Sequence, residues 1–168
     1  MYDLGVKITR MRSRRLLRAA AGEMAASDPW RRLGIDGKGC FAAVAGPGME
    51  TYAAFVDGRR AGHVSLTLNG LLRGYIRVMF VGEAFRGRGV GEALIAFAER
   101  RILRDSPNVF LCVSSFNAGA RRFYRRLGYV RAGLFRDFIV KGADELLLRK
   151  TAGPFRGYSP ARRRHGKS

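Results

Sequence analysis

Three glycines and two arginines stand together in one short segment of the chain. The segment reads Arg86-Gly87-Arg88-Gly89-Val90-Gly91 and lies between a predicted strand and a predicted helix. Glycine lets the backbone approach a ligand closely, and the free N–H groups at a helix start favour an anion. The two arginines add positive charge. The segment therefore predicts a turn that binds phosphate.

Three kinds of phosphate site are compatible with glycine-rich turns. A P-loop requires a lysine followed by serine or threonine, and no such pair follows Gly91. A dinucleotide-binding fold requires an acidic residue after the next strand, but Ser114 and Ser115 follow the apolar run that ends at Val113. The pattern R-x-x-G-x-G fits the third kind. It resembles the pyrophosphate-binding motif of the GNAT superfamily of acetyl-CoA-dependent N-acetyltransferases.

A second motif follows downstream, in the order and at the separation found in this family. It reads Asn117-Ala118-Gly119-Ala120-Arg121-Arg122-Phe123-Tyr124-Arg125-Arg126-Leu127-Gly128-Tyr129 and resembles the signature N-x-x-A-x-x-F-Y-x-x-x-G-F/Y. The resemblance spans roughly residues 6–151 and is specific over residues 78–130. The chain is therefore identified as a member of the GNAT superfamily, and it looks most like the ribosomal-protein N-terminal acetyltransferases.

The resemblance implies how acetyl-CoA would bind. Pantetheine would lie where residues 79–81 diverge from the parallel strand at residues 109–113, and the loop N–H groups would hold the pyrophosphate. Asn117 matches the position that contacts the pantetheine arm, and it can also serve as a plain helix cap. The implied acetyl-CoA contacts are Met79, Phe80, Val81, Arg86, Gly87, Arg88, Gly89, Val90, Gly91, Asn117 and Tyr124.

Tyr124 matches the family's general acid, the tyrosine that protonates the departing CoA thiolate. A phenol with a pKa of ~10 can donate a proton to a thiolate whose acid has a pKa of ~8.5. The alternative is a structural aromatic residue, because Tyr124 shares the apolar face of its helix with Ala120 and Phe123.

The general base has no match. Ribosomal-protein N-terminal acetyltransferases carry a catalytic glutamate five residues before the motif asparagine, and Cys112 stands there in this chain. The base is therefore unknown, and the candidates are Glu83, His63, Glu50 and Asp137. An α-amine, with a pKa of ~8, loses its proton more easily than lysine at ~10.4. This difference favours an N-terminal or small-molecule amine as acceptor.

The overall composition indicates how many domains the chain forms and which partners its charge would attract. The 168 residues are 47% hydrophobic, which fits one packed domain, and 32 basic against 13 acidic residues leave a net charge of +19. Such a charge attracts phosphates, including RNA, a nucleotide or an anionic membrane, although an arginine-rich composition can also reflect genomic bias. The predicted partners are acetyl-CoA and an amine acceptor, with ribosome or RNA contact through the basic surface and tail and no membrane.

The cysteine and histidine content argues against metal or disulfide chemistry. The two cysteines, Cys40 and Cys112, are far apart, and only two histidines are present, so neither a zinc site nor a disulfide scaffold is expected. No apolar run approaches the ~18 residues of a membrane span, and no secretory signal is visible. These features predict a cytoplasmic protein without a metal.

The elements that must position these residues follow the order β-α-α-β-β-β-α-β-α-β-β. A second helix is predicted from the cap Asp28 through Pro29 to Gly34, with a loop over residues 34–50. The resemblance implies that this helix borders the acceptor groove, so Trp30 either lines that groove or covers the core. A strand is predicted at residues 71–81. The fold class is mixed α/β, and the resemblance implies a GNAT fold: a mostly antiparallel sheet flanked by helices, with one βαβ crossover at the acetyl-CoA site.

The same pattern divides the chain into two parts. Residues 1–151 are predicted to form the GNAT domain, and residues 152–168 a basic, disordered tail. The resemblance predicts an N-acetyltransferase that moves an acetyl group from acetyl-CoA to a primary amine of a protein N-terminus or a small molecule. The alternatives are an acyl-CoA sensor without catalysis and a ribosome- or RNA-associated module.

Overall fold

The computed structural model describes residues 5–160 of the chain. Within these residues, seven strands form one sheet and four α-helices pack against it. The strands are β1 (Lys7–Arg10), β2 (Met49–Val56), β3 (Arg59–Thr67), β4 (Tyr75–Val81), β5 (Asn108–Ser114), β6 (Val130–Val140) and β7 (Ala143–Thr151). The helices are α1 (Arg14–Ala25), α2 (Gly37–Ala45), α3 (Val90–Ile102) and α4 (Ala118–Arg126).

The strand order across the sheet is β1-β2-β3-β4-β5-β7-β6. Five of the six neighbouring pairs are antiparallel, and only β4 and β5 run parallel, joined by α3 as a βαβ crossover. The turn between β2 and β3 has Asp57 and Gly58 at positive φ, as an Asp-Gly hairpin requires. The predicted mixed α/β class with one crossover is confirmed.

The two faces of the sheet carry different helices. Leu94 of α3 is fully buried with Leu111 of β5 on one face. On the other face, Met24 of α1 packs with Val78 and Phe80 of β4, in a cluster that α2 completes. Because successive side chains of a strand point to opposite faces, each strand of this region contributes to both layers.

The second helix lies later than the sequence predicted. Residues 28–34 form consecutive turns, and the helix is α2, inside the predicted loop of residues 34–50. Asp36 starts it by accepting a hydrogen bond from the Gly39 N–H at 2.8 Å. The prediction was wrong because glycine was taken as a loop residue. A Cβ at Gly39 would lie 2.9 Å from the Ile35 methyl carbon, so close packing explains the glycine.

The start of strand β4 differs from the prediction, and the C-terminal residues make a contact that the sequence did not predict. Strand β4 begins at Tyr75 rather than at Leu71, whose side chain is fully exposed. At the other end of the chain, the Tyr158 hydroxyl donates to the Leu103 carbonyl at 2.6 Å. Residues 161–168 of the predicted tail lie outside the described residues, and the division at residue 151 stays a prediction. No helix among the described residues is long and apolar enough to cross a membrane.

Candidate functional site

Strands β4 and β5 diverge shortly after they meet. They pair at only two positions, where Tyr75 lies opposite Phe110 and Ile76 lies opposite Leu111. Beyond these positions β4 continues to Val81 without pairing to β5. The divergence leaves polar backbone groups of both strands facing a gap, which an extended ligand can enter.

A cleft of about 900 Å³ opens at this divergence. Strand β4, the glycine loop and helix α4 supply most of its walls. The predicted acetyl-CoA contacts that line it are Met79, Phe80, Val81, Arg86, Gly87, Gly89, Gly91, Asn117 and Tyr124. The structure therefore brings together all the predicted contacts except Arg88 and Val90.

The glycine loop has the backbone geometry of an anion site. Gly87 and Gly89 have φ values of 71° and 77°, in the left-handed region that favours glycine. Gly89 stands directly before α3, whose first-turn N–H groups have no acceptor within the helix. The positive end of the α3 dipole therefore lies at the cleft wall, where a pyrophosphate would be stabilised.

The loop side chains surround this anion site without filling it. Arg86 donates from Nε to the Val81 carbonyl at 3.3 Å. Arg88 is exposed and places its guanidinium 5.6 Å from the ring centre of Phe85. Val90 is buried in the hydrophobic core, so only its backbone can face a ligand. The loop thus offers backbone donors with arginine charge at its rim.

Tyr124 and Asn117 come to the cleft from helix α4. The Tyr124 side chain is 7% exposed, with the Phe123 and Tyr129 rings in edge contact at 5.2 and 5.7 Å. Burial raises the pKa of Tyr124, so its hydroxyl stays protonated and can donate. Asn117 caps α4 by accepting from the Ala120 N–H at 3.1 Å, which leaves its amide N–H groups for a ligand.

A turn segment that contains Trp30 and Arg32 also lines the cleft. Trp30 lies in turns rather than on the predicted helix, and its ring centre is 6.0 Å from that of Phe80. The guanidinium of Arg32 lies 4.0 Å from the ring centre of Phe116. Sequence patterns indicated Trp30 but not Arg32 or Phe116, because their contact joins segments more than eighty residues apart.

Two of the candidate bases are exposed and are not among the residues that line the cleft. Glu83 begins the short 3₁₀ turn Glu83–Phe85 and is exposed, whereas Phe85 of the same turn lines the cleft. Asp137 is exposed in β6 and accepts a hydrogen bond from the Gly142 N–H at 2.6 Å. The structure does not bring either carboxylate to Tyr124.

Of the other two candidate bases, Glu50 is hydrogen-bonded to neighbouring side chains and His63 is buried. Burial alone would raise the pKa of Glu50, but hydrogen bonds from Arg101 and Tyr52 hold it below its ordinary value. Burial lowers the pKa of His63 to about 3, and its ring stacks on Phe80 at 5.0 Å. Neither ring nitrogen of His63 has a hydrogen-bond partner among the described residues. His63 therefore stays neutral behind Phe80. No three His, Cys, Asp or Glu side chains converge on a possible metal position between residues 5 and 160.

Comparison with known proteins identifies the family. Residues 14–129 match the model of the acetyltransferase (GNAT) family. The chain belongs to the GNAT family. The resemblance based on the two motifs is confirmed, and so is the predicted enzyme class, an acyltransferase.

Individual relatives agree with this membership. The chain is 26% identical over 156 residues to an N-alpha-acetyltransferase RimI of Mycobacterium tuberculosis, covering 87% of this GNAT chain and 90% of that protein. It is 32% identical over 78 residues to an N-alpha-acetyltransferase MAK3 of Arabidopsis thaliana, covering 46% of this chain. The matched regions span only 41% of that protein and 64% of an uncharacterised N-acetyltransferase of Methanocaldococcus jannaschii.

Solved GNAT structures share the fold. The ribosomal-protein-S18-alanine N-acetyltransferase of Escherichia coli matches with a TM-score of 0.70 at 18% identity, covering 92% of this chain and 99% of that one. An aminoglycoside 6'-N-acetyltransferase complexed with coenzyme A matches with a TM-score of 0.72 at 14% identity, covering 88% and 98%. At these identities the likeness concerns the fold alone.

Proposed function

We propose that this chain transfers the acetyl group of acetyl-CoA to a primary amine by direct attack. The observation that carries the proposal is the position of Tyr124 in the same cleft as the left-handed glycine loop and the diverging strands. The loop suits a pyrophosphate, the gap between β4 and β5 suits an extended pantetheine arm, and Tyr124 lies on the cleft wall as a proton donor. Family membership supports the same assignment.

The chemistry requires no covalent intermediate on the protein. The amine nitrogen attacks the thioester carbonyl carbon, the C–N bond forms, and the C–S bond breaks. The Tyr124 hydroxyl donates its proton to the departing sulfur, while the nitrogen releases one proton to solvent and solvent returns one to Tyr124. Holding the donor and the amine in one cleft supplies most of the rate by positioning, with proton donation contributing a further factor of about 10²–10⁴.

The acceptor is proposed to be an α-amine of a protein N-terminus or a small-molecule amine. An α-amine with a pKa of ~8 is partly neutral at physiological pH, whereas a lysine side chain at ~10.4 is not. N-alpha-acetyltransferases stand among the relatives of the chain, which supports a protein N-terminus. A cytoplasmic location and contact with RNA or the ribosome through the net charge of +19 stay predictions.

The test measures release of CoA thiol from acetyl-CoA with a panel of acceptors. The panel holds peptides with free N-termini, the same peptides blocked at the N-terminus but containing lysine, polyamines and aminoglycosides. Tyr124→Phe keeps the ring and should lower kcat at least 10²-fold while leaving acetyl-CoA affinity unchanged. Tyr129→Phe is the matched control, because this neighbouring buried tyrosine does not line the cleft.

The outcomes separate the proposed enzyme from its alternatives. Acceptor-dependent release that is lost in Tyr124→Phe supports the transferase and identifies the acceptor class. Unchanged turnover in Tyr124→Phe contradicts the acid role. Binding of acetyl-CoA without release on any acceptor favours the acyl-CoA sensor.

A further inference from the structure

A buried carboxylate lies on the sheet face opposite α3, one strand away from the gap. Strands β5 and β7 pair so that Ser114 lies opposite Glu145. Val113 and Leu146, next to them in the chain, belong to the hydrophobic core on the α3 face. Because strand side chains alternate, Ser114, Glu145 and Cys112 share the opposite face.

The Glu145 carboxylate has one neutral partner and no cation. The Ser114 hydroxyl donates to Oε1 of Glu145, and the two side chains are 3% and 4% exposed. None of the ion pairs among residues 5–160 includes Glu145. A carboxylate is rarely buried without a cation, because burial penalises the charge. In a chain with 32 basic residues, this arrangement leaves Oε2 available for a cationic ligand.

Tyr75 and Cys112 complete the polar cluster at the edge of the gap. Their side chains affect each other's pKa, and both interact electrostatically with Glu145. Burial raises the pKa of the Cys112 thiol and of the Tyr75 phenol, so both are neutral at physiological pH. Arg77 of β4 is exposed, and its positive charge lowers the pKa of Tyr75, which opposes the effect of burial. Glu145 is therefore the group of this cluster that can accept a proton.

The cluster lies on β4, β5 and β7 at the edge of the gap, and its four side chains are not among those that line the cleft. Tyr75 is in the last paired region of β4 and β5, and Cys112 follows that region on β5, where the gap has opened. Glu145 lies on the adjacent strand β7, where the register sets it opposite Ser114, two residues along β5 from Cys112.

We propose that Glu145 receives the proton of the acceptor amine and that Ser114 is the residue that positions it. This inference rests on the proposed function. Oε2 of Glu145 takes one proton from the ammonium form of the acceptor, and the neutral nitrogen then bonds to the carbonyl carbon. The C–S bond breaks, sulfur takes the proton of Tyr124, and a second proton of the nitrogen passes through solvent back to Tyr124. Glu145 gives its proton to solvent, so the cycle balances.

The electrostatics of the site suit this role. Burial raises the pKa of the Glu145 carboxyl above its ordinary value, although the hydrogen bond from Ser114 opposes that rise. A higher pKa lies closer to that of an α-amine, which makes proton transfer more favourable. The enclosed carboxylate also attracts an ammonium group, so it would select a basic acceptor from solution.

The test is the pH profile of kcat/KM for Glu145→Gln, which keeps the size of the side chain and a partner for Ser114. At pH 7 we expect a loss of about 10²-fold, recovering as the pH rises towards the α-amine pKa of ~8, where the acceptor deprotonates unaided. Ser114→Ala should move the acidic limb of the profile to higher pH, because the ionised carboxylate loses a donor. Glu50→Gln is the matched control, since Glu50 is a partly buried carboxylate that is ion-paired with Arg101 and is not part of the polar cluster.

Acetyl-CoA affinity, measured by calorimetry, shows that each variant is folded and should not change. A Glu145→Gln variant that retains the wild-type rate, or loses rate equally at every pH, overturns the inference and leaves the proposed function standing. If the wild-type protein transfers acetyl to no acceptor, the proposed function fails, and the role of Glu145 fails with it.

Discussion

Gly89 is the residue whose replacement tests the anion site most directly. It precedes the first residue of α3 with φ at 77°, and this left-handed backbone orients the loop towards the cleft. A non-glycine residue in the left-handed region costs about 1–2 kcal/mol. Since 1.4 kcal/mol corresponds to a factor of ten, the Gly89→Ala substitution carries a penalty of about 5–30-fold in an equilibrium constant.

The cost of Gly89→Ala can lower either the free energy of unfolding or the affinity for acetyl-CoA. If the loop keeps its conformation in the free protein, the free energy of unfolding decreases by about 1–2 kcal/mol. If the loop relaxes, the cost is incurred when acetyl-CoA restores the conformation, and Kd rises by about 5–30-fold. The neighbouring Gly87 is exposed, and a Cβ at this position would have no heavy atom within 4 Å, so little packing holds the loop. We therefore expect the loss to appear in Kd.

Calorimetric titration with acetyl-CoA and urea unfolding measure the two quantities on the same samples. Gly70→Ala is the matched control, because Gly70 has φ at 92° and open space around it but lies outside the cleft. Its affinity for acetyl-CoA should not change, so that any cost of the substitution appears only in the free energy of unfolding. Gly89→Asn should weaken binding less than Gly89→Ala, because asparagine tolerates the left-handed region. A Gly89→Ala variant with wild-type affinity and stability would refute the reasoning.

Two further predictions concern stability. Asp36→Ala removes the cap of α2 and should lower the free energy of unfolding by about 0.5–2 kcal/mol in urea titrations, whereas Asp57→Ala, at a turn, should not affect α2. Glu50→Gln should reduce stability in a pH-dependent way. The folded-state pKa of Glu50 is below its ordinary value of 4.5, so its contribution is complete above that pH and disappears as the pH falls through the folded-state pKa. Stability curves of the two proteins that stay parallel from pH 7 to pH 3 would contradict this.

The sequence predicted α3, β5 and the turn between β4 and α3 well because their signals are local. The glycine loop, α3 and the buried strand β5 follow one another in the chain, and each has a pattern that short-range rules recognise. Short-range rules did not predict helix α2. Gly37 and Gly39 lower its helix propensity, and its stability comes from burial of Cys40 and Val44 against the sheet, which is a tertiary effect.

The polar cluster was not predictable for a related reason. Glu145 meets Ser114 through the β5–β7 register, across 31 residues of sequence, and the hairpin of β6 and β7 fixes that register. Composition and motif spacing contain no information on this pairing. The sequence showed that a carboxylate was missing at Cys112, but only the sheet topology shows which neighbouring strand supplies another.

The glycine loop and the polar cluster have different consequences for the choice of acceptor. Enzymes that acetylate the alanine of ribosomal protein S18 and the 6'-amine of aminoglycosides match this chain with TM-scores of 0.70 and 0.72, so the fold as a whole does not select the acceptor. In the proposed site, the backbone donors of the glycine loop would recognise a group common to all acetyl-CoA reactions. Selection must therefore come from side chains on the other face. In this chain that face presents Glu145 and Tyr75 beside Cys112, with Trp30 on the wall formed by the turn segment, and exchanges there should change the acceptor while leaving acetyl-CoA binding intact.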